Sequence, residues 1–113
     1  MSKLLRAGLL AGIVLGIANS SSPAVDQEAI NKAIKRGVKA LRGMQTDNGA
    51  WPYSESGATA LAGLTLLECG AKPDDKAVLD AARTVRKSSL TVTHIYSIAL
   101  SILLLVGMMT RAY

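Results

Sequence analysis

Phenylalanine is absent from this 113-residue chain, and all aromatics together make up 4% of it. A β-sandwich core built on aromatic and β-branched side chains is therefore a poor fit, whereas abundant Ala, Leu and Gly suit close packing of helix on helix. Cys69 is the single cysteine. No intramolecular disulfide and no cysteine-rich metal site can form, and the bland expectation for Cys69 is a small buried apolar residue. His94 is the single histidine, expected as a helix-start side chain with a local hydrogen bond. Serines 54, 56, 88 and 89 form no nucleophile motif, and Gly57 and Gly63 form no phosphate loop.

What is present is apolar: 50% of residues are hydrophobic and 19% charged, a balance that argues against disorder and sets one small domain as the ceiling. The formal charge is +5. Without Lys3 and Arg6 it falls to +3 (eleven bases against eight acids), too mild to argue for nucleic acid.

Lys3 and Arg6 precede the unbroken apolar run Ala7 to Ala18, followed by Asn19-Ser20-Ser21-Ser22-Pro23-Ala24. A basic start, a short apolar stretch and a small-residue exit are the order of a secretory signal. The expectation is an N-terminal signal peptide over residues 1–24, with Ser22 and Ala24 at the cleavage site and Ala18 and Ser20 offering a second site before Ser21, a mature domain over 25–113, and a secreted or periplasmic protein. Gly8, Gly12 and Gly16 have the spacing of a membrane-helix dimer face, but twelve residues fall short of a bilayer span, leaving a membrane anchor as the alternative.

Four helices are predicted beyond this point. Asp26 caps a first helix with an apolar stripe of Ile30, Ile34, Val38, Leu41 and Met44, and Lys32, Lys35, Lys39 and Arg42 line a solvated side. The stretch Gln45 to Tyr53 is a structured loop because Pro52 keeps Trp51 out of the helical region. Ser54 or Ser56 opens a second helix with Ala60, Leu61, Leu64 and Leu67 on one face, and Gly70 ends it. Pro73, Asp74 and Asp75 start a third, running to about Lys87 with Val78, Ala81, Ala82 and Val85 inward. The fourth, about Thr93 to Met109, is apolar almost all round, so burial on every side is expected. Ala60-Leu61-Ala62-Gly63-Leu64 lines up with Ala99-Leu100-Ser101-Ile102-Leu103 at a separation of 39, in the range of stacked supersecondary repeats.

Arg36-Gly37-Val38-Lys39-Ala40-Leu41-Arg42-Gly43-Met44-Gln45, then Asn48-Gly49-Ala50-Trp51, resembles the Gln-Trp motif of squalene cyclases and their prenyltransferase-repeat relatives. Gly57-Ala58-Thr59-Ala60-Leu61-Ala62-Gly63-Leu64 looks like that family's inner helix. The resemblance implies an all-α fold: two helical hairpins of an incomplete, truncated α/α toroid. It gives Gln45, Gly49 and Trp51 a structural role. No catalytic residue, cofactor or metal site carries over, because Asp74-Asp75 lacks the leading Asp of the cyclase acid motif and Cys69 and His94 match no zinc motif.

The functional expectation is an exported, non-catalytic helical-repeat module. Its partner would be a second copy of itself or another helical chain, paired through an exposed hairpin edge, with membrane contact as a further possibility. One alternative is the N-terminal fragment of a terpene-cyclase-like enzyme. The other is a small membrane protein with a C-terminal transmembrane helix, since Ser88 to Thr110 contains no charged residue.

Overall fold

The computed structural model describes residues 24–53 and 56–113. The signal segment expected over residues 1–24 and the alternative helix start at Ser54 lie outside these, apart from Ala24. The described residues hold four α-helices and no strand: α1 (Gln27–Gly43), α2 (Ser56–Glu68), α3 (Lys76–Ser88) and α4 (Ile95–Arg111). The protein is all-α.

Local chemistry sets the ends of these helices. The Asp26 carboxylate accepts from the Glu28 amide at 3.0 Å, and the Asp75 carboxylate from the Ala77 amide at 3.0 Å. Each satisfies one of the donors that a helix start leaves without an internal partner. At the end of α2 the Ala71 amide donates to the Leu66 carbonyl at 2.9 Å and the Gly70 amide to Leu67 at 3.0 Å, with Gly70 at φ +95°. That pair of bonds around a left-handed glycine is the Schellman arrangement, and it turns the chain directly into α3.

The core forms around α2, which packs between α3 and α4. Leu66, Ala60 and Leu67 of α2 meet Val78, Ala81, Ala82 and Val85 of α3 and Leu100, Leu104 and Met108 of α4, all buried. Small residues let the backbones approach. A Cβ on Gly57 would lie 2.6 Å from Ser97 Oγ and 3.2 Å from its Cα, so a bulkier residue there would force α2 and α4 apart.

Four sequence expectations change in the helices, the first being Leu61, which is exposed although Ala60 and Leu67, expected on its face, are buried. In α1 only Val38 and Leu41 pack against the core; Ile30, Ile34 and Met44 are exposed because the described residues cover only the last turns of this helix. Arg42, expected in solvent with the lysines, instead forms an ion pair across to Asp75. The fourth helix is buried on one face rather than all round: Ser97, Leu100, Leu104 and Met108 face inward, at helical spacings of three, four and four, while Ile98, Ile102, Leu103, Val106 and Met109 are exposed and no helix among the described residues covers them. Among the described residues no helix is long and apolar enough to cross a membrane.

Candidate functional site: the α1–α2 loop and the open helix faces

The loop from Gln45 to Trp51 closes on itself before it closes on anything else. The Thr46 amide donates to the Ala50 carbonyl at 2.8 Å, the Gly49 amide to Thr46 at 2.8 Å, and the Ala50 amide to the Asn48 side chain at 3.1 Å. Turn geometry of this kind puts Gly49 at φ +83°, which a side chain resists. Space adds a second constraint, since a Cβ there would sit 2.8 Å from both the Cβ and the carbonyl oxygen of Asp80. The loop is thus pressed against α3.

Gln45 and Trp51 fasten the two ends of that loop. The Gln45 Nε2 group donates to the Gly49 carbonyl at 3.1 Å and to Ala77 in the first turn of α3 at 3.0 Å. One amide therefore ties the end of α1, the loop and the start of α3. Trp51 is buried; its Nε1–H donates to the Leu41 carbonyl of α1 at 2.8 Å, and its backbone amide donates to Thr59 Oγ1 of α2 at 3.1 Å. The structure thus brings Gln45, Gly49 and Trp51 together in one joint. Thr84, which sequence reading missed, adds a bond from its hydroxyl to the Asn48 carbonyl at 3.0 Å, and Thr59 is a second such residue. Thr84 carries no sequence signal because it lies 36 residues from Asn48; Thr59 is only eight from Trp51, but a lone threonine in an apolar helix does not show that its hydroxyl faces the loop.

Arg42 and Asp75 clamp the same joint from outside with two parallel bonds of 2.9 Å each. The Arg42 guanidinium holds the Asp75 carboxyl below its ordinary value, helped by the Ala77 amide, and desolvation works the other way. A carboxylate with a depressed folded pKa contributes stability that is present above its unfolded value, about 4, and lost as pH falls through the folded value. Acid should therefore loosen this joint only below about pH 4. Asp75→Ala should cost about 1 to 2 kcal/mol at neutral pH, mostly through the lost cap, and should flatten the acid limb of stability measured by denaturant melts. An unchanged acid limb would show that the clamp contributes nothing.

Comparison with protein-family models, with curated proteins and with solved structures returns no match. Geometry alone therefore describes the rest of the surface.

A groove of about 440 Å³ runs beside the joint, walled by Leu41, Met44, Trp51, Pro52, Leu61 and Ala62. Its lining is apolar. On α4, Ile98, Ile102, Leu103, Val106 and Met109 are between 41% and 64% exposed. Isolated exposed hydrophobes are ordinary, but five on one helix with no charge before Arg111 make a surface of the kind that marks an interaction site.

The remaining chemistry-bearing residues are dispersed. Cys69 is exposed rather than buried, because it follows the last turn of α2 on the side that carries Leu61 and Thr65, away from the core. His94 sits at the start of α4 without the expected local bond: its side chain caps nothing. It lines a polar cavity of about 380 Å³ with Ser56, Ser88 and Ser97, at the start of α2 and α4. The Ser56 and Ser97 hydroxyls are buried and have no hydrogen-bond partner among the described residues. Asp75 serves as a helix cap while Asp74 is exposed. Among the described residues, no three His, Cys, Asp or Glu side chains are grouped to hold a metal ion.

Proposed function

We propose that this chain is an exported helical-repeat module whose work is to bind another helical surface, and that its hairpins are of the α/α-toroid kind found in squalene cyclases and prenyltransferase-repeat proteins. The observation that carries the interaction role is the apolar outer side of α4, whose exposed Ile102, Leu103 and Val106 lie on a helix with no charge before Arg111. Water would leave such a surface at a gain of about 25 cal/mol per Å² once a partner covered it.

The repeat reading draws support from the joint. Gln45, Gly49 and Trp51 spend their hydrogen bonds on backbone groups of α1, the loop and α3, and on Thr59 of α2, which is the chemistry of a spacer between stacked units. The export step rests on Lys3, Arg6 and the apolar run that follows.

One preparation tests both parts. The 113-residue chain is expressed in a secreting host, its first residue is read by mass spectrometry, and its mass is followed by light scattering without detergent beside Leu103→Lys. The expected result is a secreted chain starting near Val25 that associates, with Leu103→Lys shifted at least about tenfold toward monomer. A secreted monomer in both cases removes the interaction role; a chain retained in the cytosol with Met1 intact removes export.

A further inference from the structure

The repeat offset relates the open helix faces to the packed ones. Adding 39 carries Gly57, Ala60, Gly63, Leu64 and Leu67 of α2 onto Tyr96, Ala99, Ile102, Leu103 and Val106 of α4. In α2 this set is the face turned to α4. Gly57 abuts Ser97, a Cβ on Gly63 would lie 3.1 Å from Leu104, and one on Gly107 would lie 3.7 Å from Leu64 and Leu67. In α4 every member of the matching set is exposed.

The converse also holds. Subtracting 39 carries the buried face of α4, Ser97, Leu100, Leu104 and Met108, onto Ala58, Leu61, Thr65 and Cys69 of α2. Three of these are exposed and Ala58 is half-buried, and Ala58, Leu61 and Thr65 line the 440 Å³ groove. Each of these two helices therefore carries both halves of one joint. Inside the chain, the forward face of α2 is docked against the rear face of α4. Among the described residues, the forward face of α4 and the rear face of α2 are left open, and they are the same two halves.

Charge is arranged by helix end, not by the offset of 39. Within the chain, Arg42 in the last turn of α1 grips Asp75, the cap of α3. Arg86 and Lys87 in the last turn of α3 and Asp26, the cap of α1, hold the like places at the outer ends of these two helices, exposed and of opposite sign.

We infer that the occupant of both faces is a second copy of this chain, bound head to tail, with α4 of one copy against α2 of the next and Arg86 or Lys87 of the first near Asp26 of the second. This deepens the interaction role proposed above and rests on it. Such an interface uses two different patches, so it leaves one of each unfilled and propagates until it closes as a ring or continues as a filament.

Complementation tests the polarity. Leu61→Glu places a charge on the rear face of α2 and Ile102→Glu on the forward face of α4; both positions are exposed, so helical circular dichroism should stay unchanged. Thr65→Arg and Val106→Arg serve as second choices on the same faces should either Glu variant lose helicity. Each variant alone should lose assembly by at least about tenfold in midpoint concentration. Mixed one to one, they should form a heterodimer and nothing larger, because each supplies the face the other lacks. Assembly of Leu61→Glu at wild-type strength, or a mixture no better than its parts while wild type still assembles, overturns the head-to-tail arrangement and leaves the interaction role standing. Wild type that remains monomeric overturns both.

Discussion

Trp51→Ala is expected to cost about 3 to 5 kcal/mol, the usual range for truncating a buried aromatic. The indole is 5% exposed, stands between the end of α1 and the groove, and donates to the Leu41 carbonyl at 2.8 Å. Removing it opens a cavity at the one place where α1 joins the core, through Val38 and Leu41. Because a domain of this size has a net stability of only ~5 to 15 kcal/mol, the loss should be visible as a large drop in the denaturant midpoint. Helical circular dichroism has to report it, since Trp51 is the only tryptophan. Trp51→Phe keeps most of the apolar plate and loses the donor, so about 1 to 2 kcal/mol is expected. A cost below about 0.5 kcal/mol for the Ala variant would mean that the loop does not depend on this side chain.

Gly49→Ala should be nearly as damaging, for a different reason. A left-handed φ of +83° strains any L side chain by about 1 to 2 kcal/mol, and the new Cβ would overlap the Asp80 Cβ and carbonyl oxygen at 2.8 Å. The loop would have to lift from α3 and would endanger the Gln45 bond to Ala77 and the Thr84 bond to Asn48. A total near 3 kcal/mol is expected. Gly37→Ala is the contrast: in the interior of α1, with nothing within 4 Å of an added Cβ, it should stabilise by roughly 0.5 to 1 kcal/mol. Thermal melts of the two variants should move in opposite directions. A neutral Gly49→Ala would contradict the packing of the loop on α3.

The contrast between these glycines shows what a sequence makes legible. Capping and periodicity are local, so Asp26, Asp75, Gly70 and the Val78, Ala81, Ala82, Val85 face of α3 could all be read from spacing, and the structure has them so. Burial is not local. Ile30 and Ile34 belong to the same stripe as Val38 and Leu41, yet only the latter two reach the core, and whether a stripe is covered depends on which helix lies opposite. Cys69 and the far side of α4 differ from their expected burial for the same reason. The Arg42 clamp joins residues 33 apart and the second acceptor of Gln45 is 32 away, so neither could be inferred from a helix pattern. For the joint, the sequence marks Gln45, Gly49 and Trp51 because turn formers and an isolated tryptophan stand out in an otherwise aromatic-poor chain. Thr59 and Thr84 do not stand out.

The central claim is that specific apolar side chains are open in the single chain and become covered when chains meet. Hydroxyl-radical labelling read by mass spectrometry, on the 113-residue chain at a dilute and a concentrated condition, examines it side chain by side chain. Leu61, Ile102, Leu103 and Val106, between 44% and 56% exposed, should label readily when dilute and several-fold less when concentrated. Leu66 and Leu104, fully buried, should remain unlabelled in both. Equal labelling of Ile102, Leu103 and Val106 at the two concentrations would contradict the account.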